Sequence, residues 1–219
     1  MTIGRLLDEL ASVEVTERAC NQYSRLGGDA RRNAVRRQNL RLYLEQLARI
    51  GPTIVLIGEA PSYRGGRLTG IPFVSETVML DGVEVRSGEG RVLGADNGFR
   101  KATAGAKRST EASATMVWGT IRLMEPLPLL WNAFPFHPFR LDDPDTNRCP
   151  TPAELAVGEP FIAAVLRLFP IRQVVAIGNQ AASSLGRMGV QHVKVRHPSM
   201  GGKNQFVAGM AEVSQTLRP

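Results

Sequence analysis

The chain has 219 residues, of which 43% are hydrophobic and 21% charged, with a formal net charge of +7. That is enough apolar chain to close one core and too little charge for disorder, and no apolar run approaches the roughly 18 residues a bilayer span needs. The only cysteines are Cys20 and Cys149, without a CxxC pair, which excludes a disulfide framework, a cysteine zinc site and a four-cysteine iron–sulfur cluster.

The opening MTIGRLLDELASVEV carries acids inside its apolar periodicity and no small-residue cleavage site, so secretion is not expected and the cytoplasm is the expected location. Residues 4 to 20 read as an amphipathic helix. Asp29 is placed to cap a longer one through about Arg49, where Leu40, Leu42, Leu44 and Leu47 mix with Arg31, Arg32, Arg36, Arg37 and Arg41, a basic face that reads as solvated surface. The basic residues divide into 23 Arg and four Lys. The guanidinium fork suits phosphate, so a polyanionic partner and a solubility-driven arginine habit both fit the composition.

Thr53 to Ile57 (TIVLI) is a continuous apolar run closed by Gly58, as expected of a strand buried on both faces of a parallel sheet. The same pattern recurs at Leu127 to Phe134, at Gln173 to Ile177 closed by Gly178, and at Val190 to Val195. Helical stretches at about 151 to 169 and 180 to 188 alternate with them, which predicts a single α/β domain with a central four-stranded parallel sheet flanked by helices. Residues 1 to 50 are expected to form N-terminal helices of that domain, and 51 to 219 its α/β body. Asp81 to Ala112, rich in glycine and charge, reads as a long mobile insertion.

Ligands of open parallel sheets bind beyond the carboxyl ends of the strands. Three strand ends here carry unusual polar groups: Glu59 in Gly58-Glu59-Ala60-Pro61-Ser62-Tyr63, Asn132 in Asn132-Ala133-Phe134-Pro135, and His197 in His197-Pro198-Ser199-Met200-Gly201-Gly202-Lys203. Each has a plain reading as a loop acid, a turn-binding amide or a pre-proline residue. Together they place a carboxylate, a carboxamide and an imidazole on one rim.

In this order, Glu59-Ala60-Pro61, Pro72-Phe73-Val74, the strand-end Asn132 and His197-Pro198-Ser199 resemble the uracil-DNA glycosylase superfamily over about residues 53 to 207. The GEAP form is similar to its iron–sulfur branch. With the cluster cysteines missing, the chain resembles a cluster-free relative that needs no cofactor and no metal.

The resemblance implies a monofunctional repair glycosylase that hydrolyses the N-glycosidic bond of uracil flipped out of single- or double-stranded DNA, leaves an abasic site and works as a monomer. It implies that Glu59 handles the attacking water, that His197 donates to uracil O2, that Phe73 stacks on the base and that Asn132 reads its edge, with Ala60 and Ser62 lining the pocket. Ser62, Ser199 and the Gly202 backbone would take phosphates, with Lys203 beside them, and Met200 would wedge into the gap left by the base. Ser62 stands at the motif's fifth position, where the strictly uracil-specific branch has a tyrosine that blocks the thymine methyl; Tyr63 comes one place later. Thymine exclusion therefore stays open.

RKATAGAKR at 100 to 108 suggests a DNA clamp built from Arg100, Lys101, Lys107 and Arg108. Lys194 is not expected to act as a Schiff-base nucleophile. A glycosylase for another deaminated base is an alternative within the family, and two rival classes are a module that binds deaminated or abasic DNA with little or no turnover, and an unrelated α/β hydrolase. The second lacks a GxSxG elbow and a P-loop, and His137 and His192 read as a loop and a strand-surface residue.

Overall fold

The computed structural model describes residues 1–27, 29–88, 90–141 and 143–216. Thr2 opens the first helix, α1 (Ile3–Ser12), by accepting a hydrogen bond from Arg5 N–H. The helix stops well short of residue 20. The β-branched Val13, Val15 and Thr16 favour extended backbone, and the Asn21 amide donates to the carbonyls of Leu10 and Val13 at 2.9 and 2.8 Å, occupying the helix's last acceptors. The chain continues into a two-residue strand, β1 (Ala19–Cys20), and then α2 (Ala30–Ile50), which ends at Gly51 in the left-handed region with φ 70°.

The arginines of α2 do not form the uniformly solvated face expected of them. Arg36 is buried and donates to Asn33 Oδ1 at 2.6 Å, and Arg37 donates to the Tyr23 carbonyl at 2.6 Å, so both tie α2 to its own surroundings.

After α2 come β2 (Ile54–Gly58), α3 (Gly66–Thr69) and α4 (Glu76–Asp81), then an antiparallel pair, β3 (Val83–Glu84) with β4 (Arg91–Val92), and α5 (Ala112–Ile121). β5 (Leu129–Asn132), β6 (His137–Pro138), α6 (Pro152–Leu168), β7 (Gln173–Ile177), α7 (Asn179–Arg187), β8 (Val193–Val195) and α8 (Lys203–Thr216) complete the described chain. The main sheet is parallel throughout, in the order β5-β2-β7-β8. Every residue of β2 and β5 is buried, which is why both read as unbroken apolar runs. β8 is shorter than its sequence run because residues 190 to 192 lie outside the ladder. α6 starts from a capping box in which Thr151 accepts from Glu154 N–H and the Glu154 carboxylate accepts from Thr151 N–H.

The 81–112 segment is a packed part of the body, contrary to the mobile insertion expected. It buries Val85, Val92, Leu93, Phe99 and Ala102. Leu93 N–H donates to Gln46 Oε1 at 2.9 Å, and the Asn39 carboxamide both accepts from Arg100 N–H and donates to the Arg100 carbonyl. These anchors are single apolar residues among glycines, a spacing with neither helical nor strand period.

His137 also departs from its expected loop position. It is buried in β6, opposite Cys20 of β1, with its ring nitrogens 2.8 Å from the Pro61 carbonyl and 3.0 Å from that of Pro144. It thereby holds the turn after β2 against the chain that follows β6.

Candidate active site

In the sheet, Gly58 at the end of β2 sits in register with Asn132 at the end of β5. The pairing forces Glu59 and Asn132 onto one rim. Gly58 is required there: a Cβ would stand 2.2 Å from the Phe73 ring and 3.0 Å from Asn132 Oδ1. Phe73 has φ 55°, and its carbonyl accepts from the Trp118 indole N–H at 3.0 Å. A bulky residue at positive φ carries backbone strain that its surroundings must hold in place. Here that conformation sets the ring against the strand ends.

Asn132 is 1% exposed, and neither Nδ2 nor Oδ1 has a hydrogen-bond partner within the described protein. Buried carboxamides are nearly always satisfied, so a side chain facing a cavity with both polar atoms unpaired within the described protein is able to hydrogen-bond a group that enters it.

His197 follows β8. Its Nδ1 accepts from Ser199 N–H at 3.1 Å and lies 2.7 Å from Ser199 Oγ. A nitrogen that accepts from a backbone N–H carries a lone pair, which assigns the proton of the neutral ring to Nε2. Burial, helped by the adjacent Arg196, holds the His197 pKa below the usual imidazole value and keeps the ring neutral near pH 7. The Phe73 and His197 ring centroids are 6.4 Å apart. The loop is drawn tight at Gly202, where a Cβ would meet the His197 carbonyl at 2.1 Å. At its tip Met200, with φ 52°, is 91% exposed, so it is no core filler.

Glu59 lies on the wall. Burial pushes its carboxyl pKa up, and the Cys149 thiol alongside partly offsets this. The cavity measures about 680 Å³, and Glu59, Ala60, Ser62, Phe73, Asn132, His197 and Ser199 all line it. Of the three expected phosphate donors two are engaged within the loop and one is buried. Gly202 N–H donates to the Ser199 carbonyl, Ser199 Oγ sits on His197, and Ser62 Oγ is buried.

The four cations of the 100–108 segment lie outside the cavity lining. Lys101 Nζ donates to the carbonyls of Ala104, Gly105 and Lys107, and Arg108 pairs with Asp81 at 2.7 Å. Lys203, exposed, begins α8.

Sequence reasoning missed several residues that the fold brings to the cavity: Glu111, Arg140, Arg148, Cys149 and Arg196. Arg196 is flagged only by adjacency to His197. The others sit on segments whose position depends on tertiary packing. Arg148 holds its segment by donating to Glu154 at 2.6 and 2.7 Å and to the carbonyls of Phe139 and Arg18. Burial opposes the Glu154 charge, yet the hydrogen bonds from Arg148 and Thr151 pull its pKa down to about 2.

The sequence model of the uracil DNA glycosylase superfamily matches residues 45–218. The chain belongs to this superfamily. It is accordingly a DNA glycosylase. Among solved structures it is similar to wild-type SMUG2 of Pedobacter heparinus, at 14% identity over 98% of this chain and 97% of that one, with a TM-score of 0.63. At that identity the likeness speaks for the fold. A search of curated proteins found no match.

Proposed function

We propose that this glycosylase removes uracil from DNA by simple hydrolysis. The observation that carries the reading is the idle carboxamide of Asn132, set in one cavity with a neutral His197 whose proton is on Nε2. A flipped uracil offers a complement to each. Asn132 Nδ2 donates to O4 and Oδ1 accepts from N3–H, whereas cytosine presents the reverse pair. Phe73 stacks on the ring face.

As the C1′–N1 bond breaks, its electron pair moves onto uracil and accumulates at O2, while the sugar becomes cationic. His197 Nε2–H donates to O2 without first losing a proton, and it is already oriented by Ser199. The Glu59 carboxylate stabilises the sugar and polarises the water that adds to C1′, accepting its proton. The products are uracil and an abasic site, with no covalent enzyme intermediate. Lys194 reaches the cavity lining but is exposed, unlike the desolvated lysines that form Schiff bases. The exposed Met200 supplies the wedge, and the exposed Arg140, Lys194 and Arg196 at the mouth take the phosphates.

The test is single-turnover release of uracil from matched single- and double-stranded oligonucleotides, with borohydride added in a parallel reaction. Uracil release without a trapped protein–DNA adduct is expected. Absence of release from both strands, or an adduct abolished by Lys194→Ala, would overturn the proposal.

A further inference from the structure

The chain has three tyrosines, and two of them serve the fold. Tyr23 and Tyr43 are fully buried; the first hydroxyl donates to the Gly70 carbonyl and the second accepts from Leu130 N–H, both at 2.9 Å. Tyr63 is different. It is half-buried on the turn after β2, and its hydroxyl has no hydrogen-bond partner among the described residues. The Arg64 guanidinium lies over its ring, 5.4 Å from the centroid. That cation is exposed and pairs with no carboxylate among the described residues.

The turn that carries this pair is fixed from several sides. The Pro61 carbonyl is 2.8 Å from His137 Nδ1, and Tyr63 N–H donates to Asn147 Oδ1 at 3.0 Å. The Ser62 carbonyl accepts from the N–H groups of Gly65 and Arg67, and the Arg67 side chain reaches across to Asp145 at 2.6 Å and to the Pro144 carbonyl. These bonds use neither the Tyr63 ring nor the Arg64 side chain, so both are held out in advance, and preorganisation of this kind lowers the ordering cost of binding. Ser62 and Asn147 line the cavity, while Tyr63 and Arg64 do not. The pair therefore stands on the rim beside β2, and Met200 stands on the loop after β8, at the far edge of the sheet.

Extruding a nucleotide strips a stacking face from each of its two neighbours. With Met200 against one of them, the other is left for the opposite rim. Aromatic rings with an arginine alongside hold single strands without regard to sequence, because every base has a face to stack. We infer that Tyr63 and Arg64 form a subsite outside the cavity for the nucleotide beside the flipped one in single-stranded DNA, the ring stacking on its base and the guanidinium taking its phosphate. The inference rests on the reading of the cavity as the seat of a flipped uracil. In a duplex the neighbouring base stays paired and is not free to swing onto the ring.

The experiment measures binding of short single-stranded oligonucleotides carrying a 2′-fluorinated deoxyuridine, which resists hydrolysis. The base on its 5′ side, the base on its 3′ side, or neither is missing. The proteins are wild type, Tyr63→Ala, Tyr63→Trp and Arg64→Gln, each checked for folding by its thermal transition. Tyr63→Ala should weaken binding to the intact strand at least ~5-fold, the lower end of what one base–aromatic stack is worth. Removing the base on one side, and not on the other, should weaken wild type by a similar factor and erase the difference between wild type and Tyr63→Ala. Tyr63→Trp keeps a stacking surface and should keep the affinity. Arg64→Gln should reduce the slope of log affinity against log salt by up to about 0.7, the value of one single-strand phosphate contact.

A Tyr63→Ala protein that binds the intact strand as tightly as wild type, or that loses the same factor whichever flanking base is missing, overturns the inference while leaving uracil removal intact. The comparison of flanks on wild type needs no variant, and equal affinity for all the strands overturns the inference whether or not the variants fold. Failure of wild type to release uracil from the unfluorinated strand would strike the proposed function instead.

Discussion

Replacing Asn132 by leucine should separate stability from activity in opposite directions. The two side chains are similar in shape, and Asn132 sits 1% exposed with both polar atoms unpartnered. An unsatisfied buried polar group costs roughly 1–3 kcal/mol, and replacing it by an apolar group of the same shape removes that cost. The packing here is close, since the Gly58 backbone and the Phe73 ring border the site, so part of the gain goes into accommodating the leucine methyls. A net stabilisation of about 1 kcal/mol is expected, a rise in Tm of roughly 2–4 °C for a chain of this size.

The same change deletes both of the hydrogen bonds proposed to the uracil edge. Single-turnover release should fall at least ~100-fold, taking the removal of one transition-state hydrogen bond at roughly 2.7–4 kcal/mol. The assays are a chemical denaturation series and single-turnover release on a uracil oligonucleotide. A leucine variant less stable than wild type by more than about 1 kcal/mol would refute the reasoning, because it would show that the carboxamide is already satisfied in the free protein.

Substitution of either Glu59 or His197 by alanine should slow uracil release at least ~100-fold while the thermal transition stays close to wild type; activity retained in both would remove them from the chemistry. The His197 pKa is depressed by burial and then by Arg196, so the unfolded chain binds the proton more readily. Its contribution to stability is therefore present above the unfolded value of about 6.5 and is lost as pH falls through the folded pKa. His137, depressed mainly by burial, acts in the same sense, and the raised carboxyls of Glu59 and Glu111 act in the opposite one. His197→Asn should accordingly flatten the stability profile on the acid side of neutrality, measured by denaturation midpoints, and an unchanged profile would contradict the neutral imidazole. Neutralising Arg140, Lys194 and Arg196 together should reduce the slope of log affinity against log salt by up to about 0.9 for each phosphate left without its cation. The fourfold change at Arg100, Lys101, Lys107 and Arg108 should reduce it less, since Lys101 and Arg108 are committed within the protein; a larger effect there would return the DNA footprint to that segment.

The sheet was legible because strands buried on both faces cannot hide: β2, β5 and β7 appear as apolar runs closed by a glycine or an asparagine. Glu59, Asn132 and His197 were legible for a related reason, since a parallel sheet collects whatever follows its strands on a single rim. What escaped were the groups whose place depends on a second element. Residues 13 to 20 keep an apolar periodicity, yet the helix ends at Ser12, because Asn21 takes the carbonyls that a further turn would need. The 81–112 segment has the composition of a spacer, as its anchors are single residues satisfied across long stretches of chain, such as Gln46 with Leu93 and Asn39 with Arg100.

Glu111 is the clearest case. As the residue before α5, following a glycine-rich basic stretch, it has the composition of a surface loop. Only the pinning of Ser109 to Glu76 and the missing side chain at Gly65 turn it inward. A folded chain seldom leaves both polar atoms of a buried carboxamide without a partner, as at Asn132, because this costs stability and a single apolar substitution would recover it. A ligand that satisfies the carboxamide accounts for its persistence, which is the ground on which Asn132 is proposed as the base reader. That role stands or falls on one physical premise, that idle polar atoms facing a cavity are complements of what enters it.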